Sequence, residues 1–268
     1  MATTAPALPP LGVLDADPAW RQIDLLSDVH LHADMPRTFE AWRDHLLNTS
    51  ADAVLMLGDL FEVWVGDDAR AGAFEASCID VLREAARHRT LAFLPGNRDF
   101  LVGEALLGEA GVRPLTDPTL LRAFGQCWLL THGDALCLTD TAYQAFRAQV
   151  RTLAWQRAFL AQPLSERQHQ ARLMRDASTA HQAGMGPDHW SDVDDAAAAR
   201  WLTEAGSTVM VHGHTHRPAT HGLPGGGLRH VLGDWDLDHG TPRAQALRLT
   251  ASGLHPLDIA ARGARSAA

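Results

Sequence analysis

Five short apolar runs, at residues 23–27, 53–57, 90–94, 128–131 and 208–211, punctuate the chain. A run such as Ala53-Val54-Leu55-Met56-Leu57 is apolar at every position, which predicts a strand buried on both faces. Between the first of these runs, residues 38–47, 73–87 and 103–110 carry apolar positions at helical spacing. Beyond residue 216 the character changes: Pro224-Gly225-Gly226-Gly227 marks a turn, and short strands are predicted at 228–232 and 245–249. An α/β first half closed by a β-rich second half predicts an α/β fold, one domain of two sheets packed face to face with helices outside. No internal repeat interrupts this plan.

One long segment, residues 143–200, does interrupt it. Phe146, Val150, Leu153, Trp155, Phe159, Leu160, Leu164, Leu173 and Met174 follow a broadly helical spacing. Across 143–175 six arginines, at 147, 151, 157, 167, 172 and 175, face one acid, Glu166. Two readings stand: amphipathic helices packed on the core, or an inserted cap that presents apolar surface and positive charge to an amphiphilic anion or an anionic membrane surface. The Ala, Thr and Pro content of residues 1–20 predicts a loose leader, and 260–268 a similar tail, leaving 21–259 for the fold.

Composition narrows the class. A net charge of −9 over 268 residues argues against a general nucleic-acid binder, and no nucleic-acid partner is expected. All 23 basic residues are arginine, so cationic recognition must use guanidinium. Cys78, Cys127 and Cys137 form no CxxC pair, which favours a reducing compartment. No stretch is long and apolar enough to span a bilayer.

Each apolar run leads into a block of oxygen or imidazole ligands: Asp28-Val29-His30, Gly58-Asp59, Gly96-Asn97-Arg98-Asp99, His132-Gly133-Asp134 and His212-Gly213-His214-Thr215-His216. Ligands at strand ends can converge on one sheet edge. Asp28 and His30, two apart, point to the same side of an extended strand end and can grip one cation; His214 and His216 repeat this spacing. Asp59 is suited to bridge two cations with its two oxygens, and Asn97 and His132 complete a second coordination sphere. Oxygen and imidazole ligands without thiolate favour manganese, iron, magnesium or zinc over a structural zinc site, with manganese the first choice. Taken singly each block is weak: an aspartate at a strand end is commonly a turn former, and His132 or His212 reads equally as a satisfied core histidine. The five in order describe a two-metal hydrolase.

The series DxH, GD, GN, HGD and GHTH resembles that of the calcineurin-like metallophosphoesterases, which implies a two-sheet αββα sandwich with an inserted helical cap. A narrower resemblance, over most of residues 23–235, is to the branch of that family that acts on UDP-2,3-diacylglucosamine in lipid A biosynthesis. It is carried by Leu57-Gly58-Asp59-Leu60-Phe61-Glu62, Gly66-Asp67-Asp68, Gly96-Asn97-Arg98-Asp99-Phe100-Leu101 and Tyr143-Gln144-Ala145-Phe146-Arg147. The resemblance implies two Mn²⁺ ions, one on Asp28, His30, Asp59 and His216, the other on Asp59, Asn97, His132 and His214. It implies substrate contacts from Asn97, Arg98, Asp140, Ser178 and His214, with Asn97, Arg98 and His214 in the catalytic machinery. Many relatives carry a histidine where Arg98 stands; an arginine offers only hydrogen bonds and positive charge to a phosphate.

The implied reaction is attack of a hydroxide held by the two cations on the α-phosphorus, releasing UMP and 2,3-diacylglucosamine 1-phosphate, with the cap taking the acyl chains. The implied setting is the cytoplasmic face of the inner membrane, as a peripheral protein with no obligate protein partner. The pattern departs in the cap, where the family's Ser, Asn four on and Lys three later become Ser178, Gln182 and Met185. The amide is roughly kept and the cation lost; Arg175, one turn before Ser178, is a candidate replacement. Two other readings remain: the same metal core serving a soluble nucleotide, such as a dinucleoside polyphosphate or cyclic nucleotide, and a non-catalytic scaffold that binds a partner protein.

Overall fold

A computed structural model describes residues 6–184 and 191–261, with the side chains of all of these except 176–184. The first half runs β1 (Gly12–Asp15), β2 (Ile23–Leu26), α1 (Pro36–Asn48), β3 (Ala53–Leu57), α2 (Ala73–Ala86), β4 (Thr90–Leu94), α3 (Glu104–Ala110), β5 (Val112–Pro114), β6 (Thr119–Ala123) and β7 (Gln126–Leu130). Helices α4 (Thr141–Val150), α5 (Leu153–Leu160), α6 (Leu164–Gly184) and α7 (Asp195–Ala205) follow. The chain closes with β8 (Val209–His212), β9 (Thr220–Gly222), β10 (Leu228–Val231), β11 (Gln245–Thr250) and β12 (Gly253–Asp258).

The strands form two six-stranded sheets, ordered β12-β11-β2-β3-β4-β5 and β1-β6-β7-β8-β10-β9. In the first, β2, β3, β4 and β5 are parallel, with Leu25 opposite Leu55 and Leu55 opposite Ala92. The apolar runs are continuous because both faces are covered. Val54, Met56 and Phe93 pack outward against Trp42, Ile79 and Leu82 of α1 and α2, while Leu25, Leu55 and Leu94 pack inward against Leu121, Leu130 and Val211 of the second sheet. On that sheet's far face Leu129 and Met210 meet Ala198, Trp201 and Leu202 of α7. Each fully buried leucine of this kind contributes roughly 1.5–3 kcal/mol. The result is the expected αββα sandwich.

Three features differ from the sequence reading. The first 20 residues are not a loose leader throughout: β1 pairs in parallel with β6, Leu14 is buried in the core, and Trp201 Nε1 donates to the Pro6 carbonyl at 3.0 Å. Gly103, expected inside α3, is its N-cap with extended backbone, and its N–H donates to Asp67 Oδ1 at 2.9 Å. Four of the six arginines between 143 and 175 pair with carboxylates rather than standing free as a basic face. Arg147 Nε lies 2.8 Å and Arg151 Nη2 3.8 Å from Asp134 Oδ2, Arg167 forks onto Asp68, and Arg175 Nε lies 3.0 Å from Glu62 Oε1.

Candidate active site

All five ligand blocks follow the C-terminal ends of strands, three from the first sheet after β2, β3 and β4, and two from the second after β7 and β8. The sheets lean together at this edge. Asp28 N donates to the Gly58 carbonyl at 3.1 Å and His30 N to the Asp59 carbonyl at 3.0 Å, so the first two blocks run on side by side beyond their strands. Across the sandwich, His214 N donates to Asp28 Oδ2 at 3.0 Å.

The backbone is bent to make this possible. Asp28, His30, Asp59, His214 and His216 have φ between 52° and 66°, in the left-handed region that side chains rarely adopt. The intervening glycines are matters of space. A Cβ on Gly96 would lie 2.1 Å from Asp59 Oδ1, and one on Gly213 would lie 2.2 Å from Asp28 Oδ2.

Two clusters of donor atoms result. His30 Nδ1 faces Glu62 Oε2 at 2.9 Å, so its Nε2 is free to turn toward His216 Nε2, 3.3 Å away. Asp28 Oδ1 lies 3.2 Å from that His216 nitrogen, and Asp59 Oδ2 lies 4.0 Å from His30 Nε2. In the second cluster His132 donates through Nδ1 to the Leu57 carbonyl at 3.0 Å, which points its Nε2 at Asn97 Oδ1, 2.9 Å away, and at Asp59 Oδ1, 3.6 Å away. His214 Nδ1 meets the same Asn97 oxygen at 2.8 Å. Asp59 serves both clusters, one oxygen to each.

Facing lone pairs at such distances repel unless a cation or proton lies between them, and the electrostatics agree. Burial alone would depress His132, yet the charges of Asp59, Asp28 and Asp134 raise it to about 9. Burial would raise Asp28, but His216, His132 and His30 hold it well below the usual carboxylate range. His214, buried beside His132, falls to about 4. The ligand atoms of Asp28, His30 and His216 lie within 4.8 Å of one another, as do those of Asp28, Asp59 and His132. The donor set and its pull on positive charge fit a metal-binding site.

Around these clusters sit carboxylates to which the sequence reading gave no role. Asp99 accepts from the N–H groups of Gly96 and Leu60 at 2.8 and 2.7 Å and joins the loops after β3 and β4; burial and the Asp59 charge raise it to about 7. Asp134 accepts from Tyr143 Oη at 2.5 Å and Arg147 Nε at 2.8 Å, so the Tyr143-Gln144-Ala145-Phe146-Arg147 motif clamps α4 beside His132. Glu62 orients His30, and Asp234 Oδ2 lies 3.7 Å from His216 Nδ1. Adjacency to the ligand motifs was the available signal for Asp99, Asp134 and Glu62; Asp234 had none. His212 is a satisfied core residue, its Nδ1 2.8 Å from the Gly213 carbonyl.

Arg98 is half-buried, its N–H donating to Asp59 Oδ1 at 2.8 Å. Asp140 caps α4, accepting from Tyr143 N at 2.9 Å. The side chains of Ser178, Gln182 and Met185 lie outside the described residues. Under α6, and reached from the first two candidate ligand blocks through Leu31 and Phe61, is a cavity of about 290 Å³ with mostly apolar walls, including Trp64, Phe74 and Ala171, and with Glu75, Arg172 and Arg175 among its charged lining.

A sandwich with this donor set at its strand ends defines a class, and sequence comparison gives the same one. The profile of the calcineurin-like phosphoesterases matches residues 21–218, and the chain belongs to that family. It is 42% identical over 240 residues, 85% of this chain and 95% of the relative, to a protein of Xanthomonas campestris pv. campestris named UDP-2,3-diacylglucosamine hydrolase. A protein of that name from Chromobacterium violaceum is 43% identical over 220 residues, 80% of this chain and 90% of the relative. Among solved structures, an archaeal phosphodiesterase matches 88% of this chain and 99% of its own, at 12% identity and a TM-score of 0.43.

Proposed function

We propose that the chain hydrolyses the pyrophosphate of UDP-2,3-diacylglucosamine to UMP and 2,3-diacylglucosamine 1-phosphate, with two Mn²⁺ ions as cofactors. The observation that carries this reading is the nearness of the Asp/His/Asn clusters, through Leu31 next to His30, to a mostly apolar cavity roofed by α6. It joins chemistry suited to phosphates with a wall suited to acyl chains. Each buried methylene would contribute about 0.8 kcal/mol, so lipid selectivity needs no special chemistry at the metals. The names of the relatives support the same substrate.

Asp28, His30, Asp59 and His216 would hold one ion, and Asp59, Asn97, His132 and His214 the other. When bound, the ions acidify water and offset charge on the phosphoryl oxygens. The protein supplies the rest. Arg98, anchored through its backbone to Asp59, offers hydrogen bonds and a permanent positive charge to the phosphate, and it cannot act as an acid. His214, depressed to about 4, is neutral at pH 7 and orders Asn97. Asp134 and its arginines fix the loop that carries His132. A sugar phosphate is already a good leaving group, so no dedicated general acid is required.

Access to a two-chain lipid supports a position at the cytoplasmic face of the inner membrane as part of this proposal. No helix among the described residues is long and apolar enough to cross it. Exposed Leu153, Leu160, Leu173 and Met174, with Arg157 and Arg172, form the surface that would rest there.

The test is UMP release from UDP-2,3-diacylglucosamine in detergent with Mn²⁺, beside a soluble dinucleotide and the Asn97→Ala variant. Mn²⁺-dependent release that the variant lacks and the dinucleotide does not match is the expected result. Cleavage of the dinucleotide alone would assign the site to a soluble nucleotide.

A further inference from the structure

Helix α6 is fastened to the core at two points eight residues apart. At the first, the Arg167 side chain is 3% exposed and forks onto both oxygens of Asp68, with Nη1 to Oδ1 at 2.9 Å, and onto the Val65 carbonyl. At the second, Arg175 is 43% exposed and makes an ion pair with Glu62 Oε1 at 3.0 Å. An exposed pair contributes little by itself, so the second fastening is the weaker of the two. Between the two, Ala171 packs on the core, and Gln168 and Arg172 line the apolar cavity.

Glu62 is engaged on its other side as well. Its N–H donates to the Leu31 carbonyl at 3.2 Å, which holds it beside the first ligand block, and its Oε2 meets His30 Nδ1 at 2.9 Å. One carboxylate therefore touches a candidate metal ligand with one oxygen and the roof of the cavity with the other.

We propose that Glu62 is a positioning residue shared by His30 and Arg175, through which a divalent cation seated on His30 holds the α6 turn that carries Ala171 and Arg175 against the core and closes the cavity beneath it. The two oxygens of a carboxylate are rigidly linked, so fixing Oε2 aims Oε1. A cation on Nε2 makes the Nδ1–H a stronger donor and fixes the ring. Glu62 then keeps one rotamer, and Arg175 finds its partner already placed. By linkage, a docked α6 favours the cation by the same factor. This inference rests on the proposed metal site but not on the identity of the substrate.

Hydrogen exchange on the full chain, with and without Mn²⁺ and without lipid, tests it, with calorimetry to establish saturation in each variant. In the wild type, Mn²⁺ should slow exchange in the α6 turn that carries Ala171 and Arg175 by about fivefold or more, the lower end of ordinary coupling between sites. Glu62→Gln, which keeps the shape of the side chain, and Arg175→Gln should abolish that response at saturating Mn²⁺. Asp68→Asn, which loosens the helix elsewhere, should speed exchange yet keep the response. A saturated wild type whose α6 ignores Mn²⁺, a full response in Glu62→Gln, or loss of the response in Asp68→Asn would each overturn the coupling. Failure of Mn²⁺ to bind would overturn it together with the proposed metal chemistry. Failure of lipid hydrolysis beside an intact exchange response would overturn the proposed function alone.

Discussion

Six non-glycine residues among those described have positive φ, and five of them are candidate ligands. Such conformations cost of order 1–3 kcal/mol each and persist where the surroundings over-determine them. The glycines between them are the surroundings' way of leaving room. Gly96→Ala would push a methyl into Asp59, whose oxygens serve both clusters; Mn²⁺-dependent turnover should fall on the order of a hundredfold, as for ångström-scale misplacement of a reacting group. Gly108→Ala, inside α3 with nothing within 4 Å of the new atom, should instead stabilise the fold by about 0.5–1 kcal/mol. Thermal unfolding and steady-state rates on the two variants separate position from residue type. Equal losses in both would show that the site glycines are ordinary turn residues.

At the scale of elements, one buried ion pair ties three of them together. Asp24 on β2 accepts from Arg248 Nε and Nη2 of β11 at 2.7 and 2.9 Å and from Thr49 Oγ1 at the end of α1 at 2.6 Å. Burial would raise its pKa, but Arg248, His45 and Thr49 together hold it well below the usual carboxylate range. A depressed folded value gives stability that is present above the unfolded pKa of about 3.9 and is lost as pH falls toward the folded one. Arg248→Met would strand the charge and should cost about 3–5 kcal/mol at pH 7. Burial raises the pKa of the stranded carboxylate, so the gap from wild type should begin to narrow as pH falls through that raised value and go on narrowing toward the depressed wild-type one. Denaturant unfolding at several pH values measures this, and a gap constant with pH would refute the assignment.

Elements were legible where burial is symmetric. β3 is apolar at every position, and β2 and β4 are apolar but for Asp24 and Thr90, because helices cover one face and a second sheet the other, so their local pattern carries the tertiary answer. Four-residue β1 gave no such signal, since its place is fixed by a parallel partner more than a hundred residues away. β12 contains Pro256 and lies half-exposed on a sheet edge, where pattern is weakest. In the site, the candidate ligands stood out because each follows a readable strand. Asp234 did not, because its approach to His216 depends on how β10 packs beside β8. The arginines of α4 to α6 were visible as a charge excess, but only the fold shows that most of them answer carboxylates of the core.

For the whole molecule, metal binding and folding should be coupled. A cation that binds only the folded state stabilises it by about 2.7 kcal/mol at a hundred times its Kd, so a chelator should lower Tm and restored Mn²⁺ should raise it. Four of the six arginines of this segment are paired with carboxylates, which, with a net charge of −9, leaves it less uncompensated positive charge to draw it to an anionic bilayer. The proposed attachment then rests mainly on apolar insertion, and Leu153, 69% exposed at the start of α5, is its most prominent member. Leu153→Asp should weaken binding to phosphatidylglycerol vesicles about tenfold or more, given roughly 0.8 kcal/mol for each methylene kept out of the bilayer. The fold should tolerate the change, because an acid in the first turn of a helix is favoured. Vesicle sedimentation at low and high salt reads both contributions: apolar attachment survives salt and fails in the variant. Binding that vanishes with salt and ignores the substitution would place the contact on the remaining outward arginines, Arg157 and Arg172.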